Sequence, residues 1–182
     1  MIIATKVGRH PQLKGLAPET IMKGVDDSLR RLRTDYIDLY QIHMQDLTVA
    51  EDEVLRALDD LIRAGKVVYA GCSNYAAWQI MKALAVSKEQ HLERFRCTQS
   101  YYSLAGRDLE REIVPMLQSE GLGLLVWSPL AGGLLSGKYS RQGAAEQGSR
   151  RTTFDFPPVD VERAYDCIDV MRTIADARGA HR

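Results

Sequence analysis

Cysteine is scarce and scattered: Cys72, Cys97 and Cys167 are the three in 182 residues. None forms a Cys-x-x-Cys pair or sits with histidines at metal-ligand spacing, so no disulfide framework and no metal site is expected, and the three read as buried free thiols. Long hydrophobic runs are also missing. The longest, such as residues 122–127, fall far short of the roughly 20 apolar residues that span a bilayer, so no membrane crossing is expected. Neither charge is in surplus: Lys plus Arg and Asp plus Glu both number 24, which removes the basic field that nucleic acid or anionic lipid requires. The opening Met-Ile-Ile-Ala-Thr-Lys lacks the charged leader, apolar stretch and cleavage site of a secretory signal, so a cytoplasmic location is expected. What is present, 45% hydrophobic and 26% charged residues, suits a globular chain with its own core.

The apolar residues fall into a repeating pattern. Short β-branched runs begin near Ile2, Tyr36, Val67, Phe95 and Leu122, and every gap between them carries helical periodicity. Pro18 and Glu19 open a helix whose Ile21, Val25, Leu29 and Leu32 share one face. A second helix presents Val54, Leu55, Leu58, Leu61 and Ile62 and stops at Ala64-Gly65-Lys66, with glycine just past its end. The spacing predicts further helices over residues 76–86, with Ile80, Met81 and Leu84, and over 109–120, with Ile113, Val114 and Leu117 before Gly121. A last one covers 160–178, with Ala164, Ile168, Met171 and Ile174, after which the sequence reaches His181-Arg182 without another strand. Residues 137–158 are polar and patternless and read as a long mobile loop with a functional role.

About 30 residues per strand-plus-helix unit is what parallel strands with right-handed crossovers require. Two architectures use that unit, the open doubly wound sheet and the closed eight-stranded barrel, and periodicity does not choose between them. No Gly-x-Gly-x-x-Gly follows the first strand.

In both architectures, binding and catalytic groups gather at the carboxyl ends of the strands. Here the runs end in Thr5-Lys6, Gln41-Ile42-His43, Cys72-Ser73-Asn74, Thr98-Gln99 and Trp127-Ser128. Lys6 would project its ammonium from the top of a buried strand, or snorkel to solvent. His43 could polarise a carbonyl or pass a proton near neutral pH, or be a packed, hydrogen-bonded histidine. Ser73, Asn74 and Gln99 offer donors and acceptors that can grip a carboxamide from both sides, or serve as strand-end caps. Trp127 could lay its face against a planar ring, or fill a core.

Taken in order, Ile3-Ala4-Thr5-Lys6, the run from Asp35 to His43, Gly71-Cys72-Ser73-Asn74, Gln99 and Trp127-Ser128-Pro129-Leu130 resemble the aldo-keto reductase family. Ser128 to Gly133 with Ser136-Gly137-Lys138-Tyr139 looks like the branch containing potassium-channel β-subunits and bacterial reductases. The resemblance implies an α/β fold, a partial TIM (β/α)8 barrel whose strands are the third to seventh, with residues 1–182 a single incomplete barrel domain. It implies reduction of a small aldehyde or ketone by hydride from NADP(H), with a tyrosine proton donor tuned by lysine, histidine and aspartate. Lys6 and His43 match two of those four as catalytic residues; the tyrosine and aspartate would lie upstream. Ser73, Asn74 and Gln99 would hold the nicotinamide carboxamide and Trp127 would stack on its ring. Ser128, Pro129, Leu130, Ala131, Gly132 and Lys138 would wrap the pyrophosphate. Two other functions fit parts of the pattern. One is a cofactor-sensing interaction subunit without significant turnover; the other is a Schiff-base aldolase using Lys6 as nucleophile.

Overall fold

The computed structural model describes residues 1–141 and 148–180. Its strands are β1 (Ala4–Val7), β2 (Arg9–His10), β3 (Leu13–Lys14), β4 (Ile37–Ile42), β5 (Val67–Ser73), β6 (Cys97–Tyr101) and β7 (Gly123–Trp127). Its helices are α1 (Pro18–Leu32), α2 (Glu51–Arg63), α3 (Ala77–Glu89), α4 (Ile113–Glu120) and α5 (Val161–Ala177). Five strands form one sheet in the order β1-β4-β5-β6-β7, and the β1–β4, β4–β5 and β5–β6 pairings are parallel. Each main strand lies beside the one before it, with no reversal of direction across the sheet. A doubly wound sheet must reverse, so the order selects the barrel connectivity, as a five-strand portion of it.

The helices form where local chemistry favours them. Proline at its first turn with Glu19 starts α1, and Arg30 and Arg31 end it, so both ends complement the helix dipole. Ile21 and Val25 are completely buried, and Gly24 lets the helix lie close: a Cβ there would stand 2.7 Å from the Tyr40 hydroxyl oxygen. Glu51, Asp52 and Glu53 open α2, whose Val54, Leu55, Leu58 and Leu61 join the same core as Ile37, Tyr40, Ile42, Ala70, Cys72 and Ile80.

The chain divides into two compact units, residues 1–100 with 112–125, and residues 101–111 with the chain from Val126 onward. The first holds that core. The second has its own, built from Ala131, Leu134, Leu135, Tyr139, Ala164 and Ile168. Asp160 caps α5 by accepting from the Arg163 amide at 3.1 Å.

Several expectations need correction. A small antiparallel hairpin, β2–β3, sits between β1 and α1; two-residue strands carry too little pattern to be read. The predicted helix over 109–120 is a 3-10 turn at Asp108–Glu110 followed by the shorter α4. Cys72 and Cys97 are buried, and burial pushes the Cys72 thiol up to about 12, but Cys167 is only half-buried. Of the loop read over 137–158, residues 142–147 lie outside the described residues, as do His181 and Arg182. The rest is not patternless: Arg150–Thr152 is a 3-10 turn, and Tyr139, Ser149 and Pro157 are buried. Among the described residues, no helix is long and apolar enough to cross a membrane.

Candidate functional site

In the first unit the pleat sorts side chains onto two faces. Tyr40 and Ile42 of β4 point to the helices, the Tyr40 hydroxyl donating to the Ile21 carbonyl of α1 at 3.4 Å. By alternation, Gln41 and the following His43 point to the opposite face. The parallel register sets Lys6 beside Gln41, Gln41 beside Gly71, and Gly71 beside Cys97, so Lys6 belongs to that same face. Only glycine fits at position 71, where a Cβ would meet the Cys97 Sγ at 2.9 Å and the Gln41 Cγ at 3.3 Å.

His43 follows directly on β4, and its amide donates to the Val7 carbonyl at 2.9 Å. Partial burial, then the positive charges of Lys6 and Arg9, hold its imidazole below the ordinary histidine range. A neutral imidazole at pH 7 can donate one N–H to a carbonyl oxygen and accept at its other nitrogen.

One strand further, the Ser73 hydroxyl donates to the Gln99 carbonyl at 2.8 Å, and the Asn74 amide donates to the same oxygen at 3.0 Å. Asn74 has a left-handed backbone, φ 59°, which asparagine tolerates better than most residues. That turn swings its Nδ2 onto the His43 carbonyl at 3.1 Å and the Ser73 Oγ at 2.9 Å. Hydrogen bonds thus gather His43, Ser73, Asn74 and Gln99. Gln99 lies inside β6, which runs on to Tyr101 rather than ending at Gln99. Its side-chain Oε1 is buried with no hydrogen-bond partner, and so is the Nε2 of Gln41. Unmet buried amide groups are costly, and they are the kind of donor and acceptor a polar ligand would satisfy.

In the second unit, Trp127 ends β7. Its ring packs against Tyr101, centroids 5.1 Å apart and tilted by 40°, and against Phe156, 5.6 Å apart and parallel to within 3°. The segment after it is bent: Ser128 and Ala131 have positive φ, 51° and 50°, as do Gly132 and Gly133. Non-glycine residues in that region carry strain, and strain clusters at functional sites. Arg151, its side chain almost entirely buried, donates to the Ala131 and Pro157 carbonyls at 2.9 Å each and pairs with Asp155. Gly132 is required beneath this strap, since a Cβ there would stand 2.3 Å from the Phe156 carbonyl oxygen. Lys138 is exposed beside the buried Tyr139, and Pro129 and Leu130 are exposed in the bend.

Sequence reading missed the residues that hold these loops. Asp46 accepts from the Leu16 amide at 3.1 Å and from the Thr48 amide and hydroxyl, which hold its carboxyl below the usual range. Gln45, Glu51 and Gln79 are linked in series and have no motif signal; a glutamine in a loop looks like any solvated residue. Arg151 could have been suspected only as an arginine in a segment otherwise read as loose. Among the described residues, no group of three or more His, Cys, Asp or Glu could hold a metal ion.

A sequence model described as the aldo/keto reductase family matches residues 1–181. The chain is 40% identical over 139 residues to an uncharacterized oxidoreductase, YrpG, of Bacillus subtilis, covering 76% of this chain and 43% of that protein. It is 40% identical over 132 residues to norsolorinic acid reductase A of Aspergillus parasiticus, covering 71% of this chain and 34% of the relative. It is 37% identical over 145 residues to a probable voltage-gated potassium channel subunit beta of Oryza sativa, covering 78% and 44%. The chain therefore spans less than half the length of these relatives.

Proposed function

The chain belongs to the aldo/keto reductase family, and from that premise we propose that it supplies the cofactor and carbonyl-orienting part of an NADP(H)-dependent reductase of small aldehydes or ketones. The observation that carries this reading is the hydrogen-bonded cluster of His43, Ser73, Asn74 and Gln99 at the carboxyl end of the sheet, with the Gln99 Oε1 buried and unpartnered.

A nicotinamide carboxamide fits the unmet groups, because its NH2 can donate a hydrogen bond to the Gln99 Oε1 while its oxygen accepts one from a neighbouring side-chain donor. Bound there, NADPH supplies the hydride. In the second unit, taken by itself, Trp127 has an aromatic ring of the kind that stacks on a nicotinamide, stacked here on Phe156, and the bent backbone of Ser128, Pro129, Leu130, Ala131 and Gly132, with Lys138, offers amides and one ammonium suited to a pyrophosphate. Neutral His43 donates to the substrate oxygen and fixes its direction. Lys6 places a positive charge on the same face, which favours the ionised form of a nearby proton donor and so lowers its pKa.

That donor is assigned outside the chain. The family resemblance puts the donor tyrosine before the lysine, whereas every tyrosine here follows Lys6; two of them, Tyr40 and Tyr75, are buried with their phenols pushed up by desolvation. A phenol buried in the core, and made a weaker acid by desolvation, does not reach a substrate to protonate it. We further propose a cytoplasmic location, and that residues 1–182 belong to one incomplete barrel domain. The test is to titrate NADPH against tryptophan emission, and to follow NADPH oxidation with para-nitrobenzaldehyde, in the protein as its gene encodes it. Quenching and turnover are expected. Quenching without turnover would favour a sensing subunit, and no quenching would overturn the cofactor assignment.

A further inference from the structure

Two residues beyond His43, the Nε2 of Gln45 donates to the Glu51 Oε2 at 3.0 Å. The Oε1 of the same Gln45 accepts from the Nε2 of Gln79. The Oε1 of Gln79 in turn accepts from the backbone amide of Ala76 at 2.8 Å, two residues beyond Asn74. Both amide side chains are therefore used at both ends, donor to acceptor, which fixes their orientation as well as their position. The series begins at a carboxylate on the first turn of α2 and ends at the first turn of α3. Between them it bridges the loop carrying His43 to the loop carrying Asn74, and a direct bond from the Asn74 Nδ2 to the His43 carbonyl bridges them a second time.

We propose that Gln45, Glu51 and Gln79 are positioning residues that lock the His43 loop to the Asn74 loop, so that carbonyl orientation and carboxamide grip are set by one rigid unit. This rests on the reductase reading above. The relay is poorly designed for stability alone. Glu51 keeps its Oε1 buried without a partner, and burial raises its carboxyl against the opposing pull of Gln45 and Lys82. Apolar side chains of the same volume would hold the loops together without that penalty, so a polar series in this place is better suited to fixing geometry. Misplacing a reacting group by about 1 Å can cost on the order of 100-fold in rate.

The experiment compares Gln45→Ala, Gln79→Ala, the double variant and Glu51→Gln in the protein as its gene encodes it. It reads NADPH affinity, kcat and KM for para-nitrobenzaldehyde, and the His43 titration by NMR. Each single alanine variant is expected to lower kcat by about 10-fold or more, with KM and NADPH affinity within about twofold. The double variant should be no worse than the singles, because each breaks the same series. Glu51→Gln should stay near wild type, since an amide oxygen still accepts from Gln45. In the alanine variants the His43 midpoint should rise toward the ordinary value as the loop moves away from Lys6 and Arg9. Unchanged kcat, additive losses or an equal rise in KM would overturn the relay. Should the wild type fail to turn over, the reductase reading falls, and the His43 midpoint alone decides the relay: unmoved, it is wrong. If Gln45→Ala does not fold, Gln45→Asn, one methylene too short to span both partners, takes its place under the same criteria.

Discussion

His43 shows how one side chain answers to its surroundings. Its folded pKa lies below the ordinary 6.5, with burial the larger cause and Lys6 and Arg9 the smaller ones. For a histidine depressed in the folded state, the unfolded chain takes up the proton first as pH falls. Its contribution to stability is therefore complete above the unfolded value and is lost as pH drops through the window between unfolded and folded values. Lys6→Met is expected to raise the His43 midpoint in an NMR titration yet leave it below the ordinary value, because burial remains. Lys6→Met and His43→Ala should each lower kcat for aldehyde reduction by about 100-fold or more, read from NADPH oxidation. At position 71 a methyl group has nowhere to go, so Gly71→Ala is expected to cost about 1–3 kcal/mol in denaturant unfolding. Residues of this kind were unevenly legible. Lys6, His43, Ser73 and Asn74 stand out because polar side chains at strand ends contradict a buried strand. The steric demand at Gly71 and the Gln45–Gln79 link depend on how separate strands and loops meet in space, which a single sequence does not carry.

Helices and strands were read from periodicity wherever a buried face ran several turns, as in α1 and α2 with their apolar stripes and charged ends, although Leu32 of the α1 stripe, Met81 of α3 and Ile174 of α5 are exposed. The reading failed where tertiary contacts replace pattern. The β2–β3 hairpin has two residues per strand, and the start of the predicted fourth helix is a 3-10 turn, with the Arg107 guanidinium and Tyr102 hydroxyl both directed onto Glu110. Between elements, buried polar ties carry the registry. Asp59 of α2 is 4% exposed and accepts both from Arg63 and from the Glu93 amide at 2.9 Å, joining the helix to the chain entering β6. Asp59→Ala leaves that amide without its acceptor and is expected to destabilise the chain by about 1–3 kcal/mol in urea unfolding. In the second unit Arg151 serves the same purpose, since its guanidinium is the donor to the Ala131 and Pro157 carbonyls. Arg151→Met should speed hydrogen exchange at residues 150–157 by about 10-fold or more, the loss of two such bonds, while leaving exchange in β4 and β5 unchanged.

Across the whole molecule, the consecutive strand order is the feature that separates barrel connectivity from the doubly wound alternative, a choice the sequence pattern left open until the family resemblance entered. The sheet also has β1 and β7 at its ends, each with one side unpaired among the described residues, and Val68, Tyr69 and Val126 stand exposed on its strands. Unpaired edges with apolar side chains template association. The 182-residue polypeptide by itself is therefore expected to sediment as a mixture of oligomers; a sharp monomer with reversible unfolding would contradict this.

Under the proposed function, the polar cluster at the carboxyl end of this sheet prepares a carbonyl for direct hydride transfer. The most direct measurement is transfer of deuterium from nicotinamide-deuterated NADPH to para-nitrobenzaldehyde by the protein as its gene encodes it. Deuterium is expected at the carbinol carbon of the alcohol, in equal amount to the NADPH consumed, with its formation lost in His43→Ala. Cofactor bound without any labelled alcohol, or label released to solvent, would contradict it.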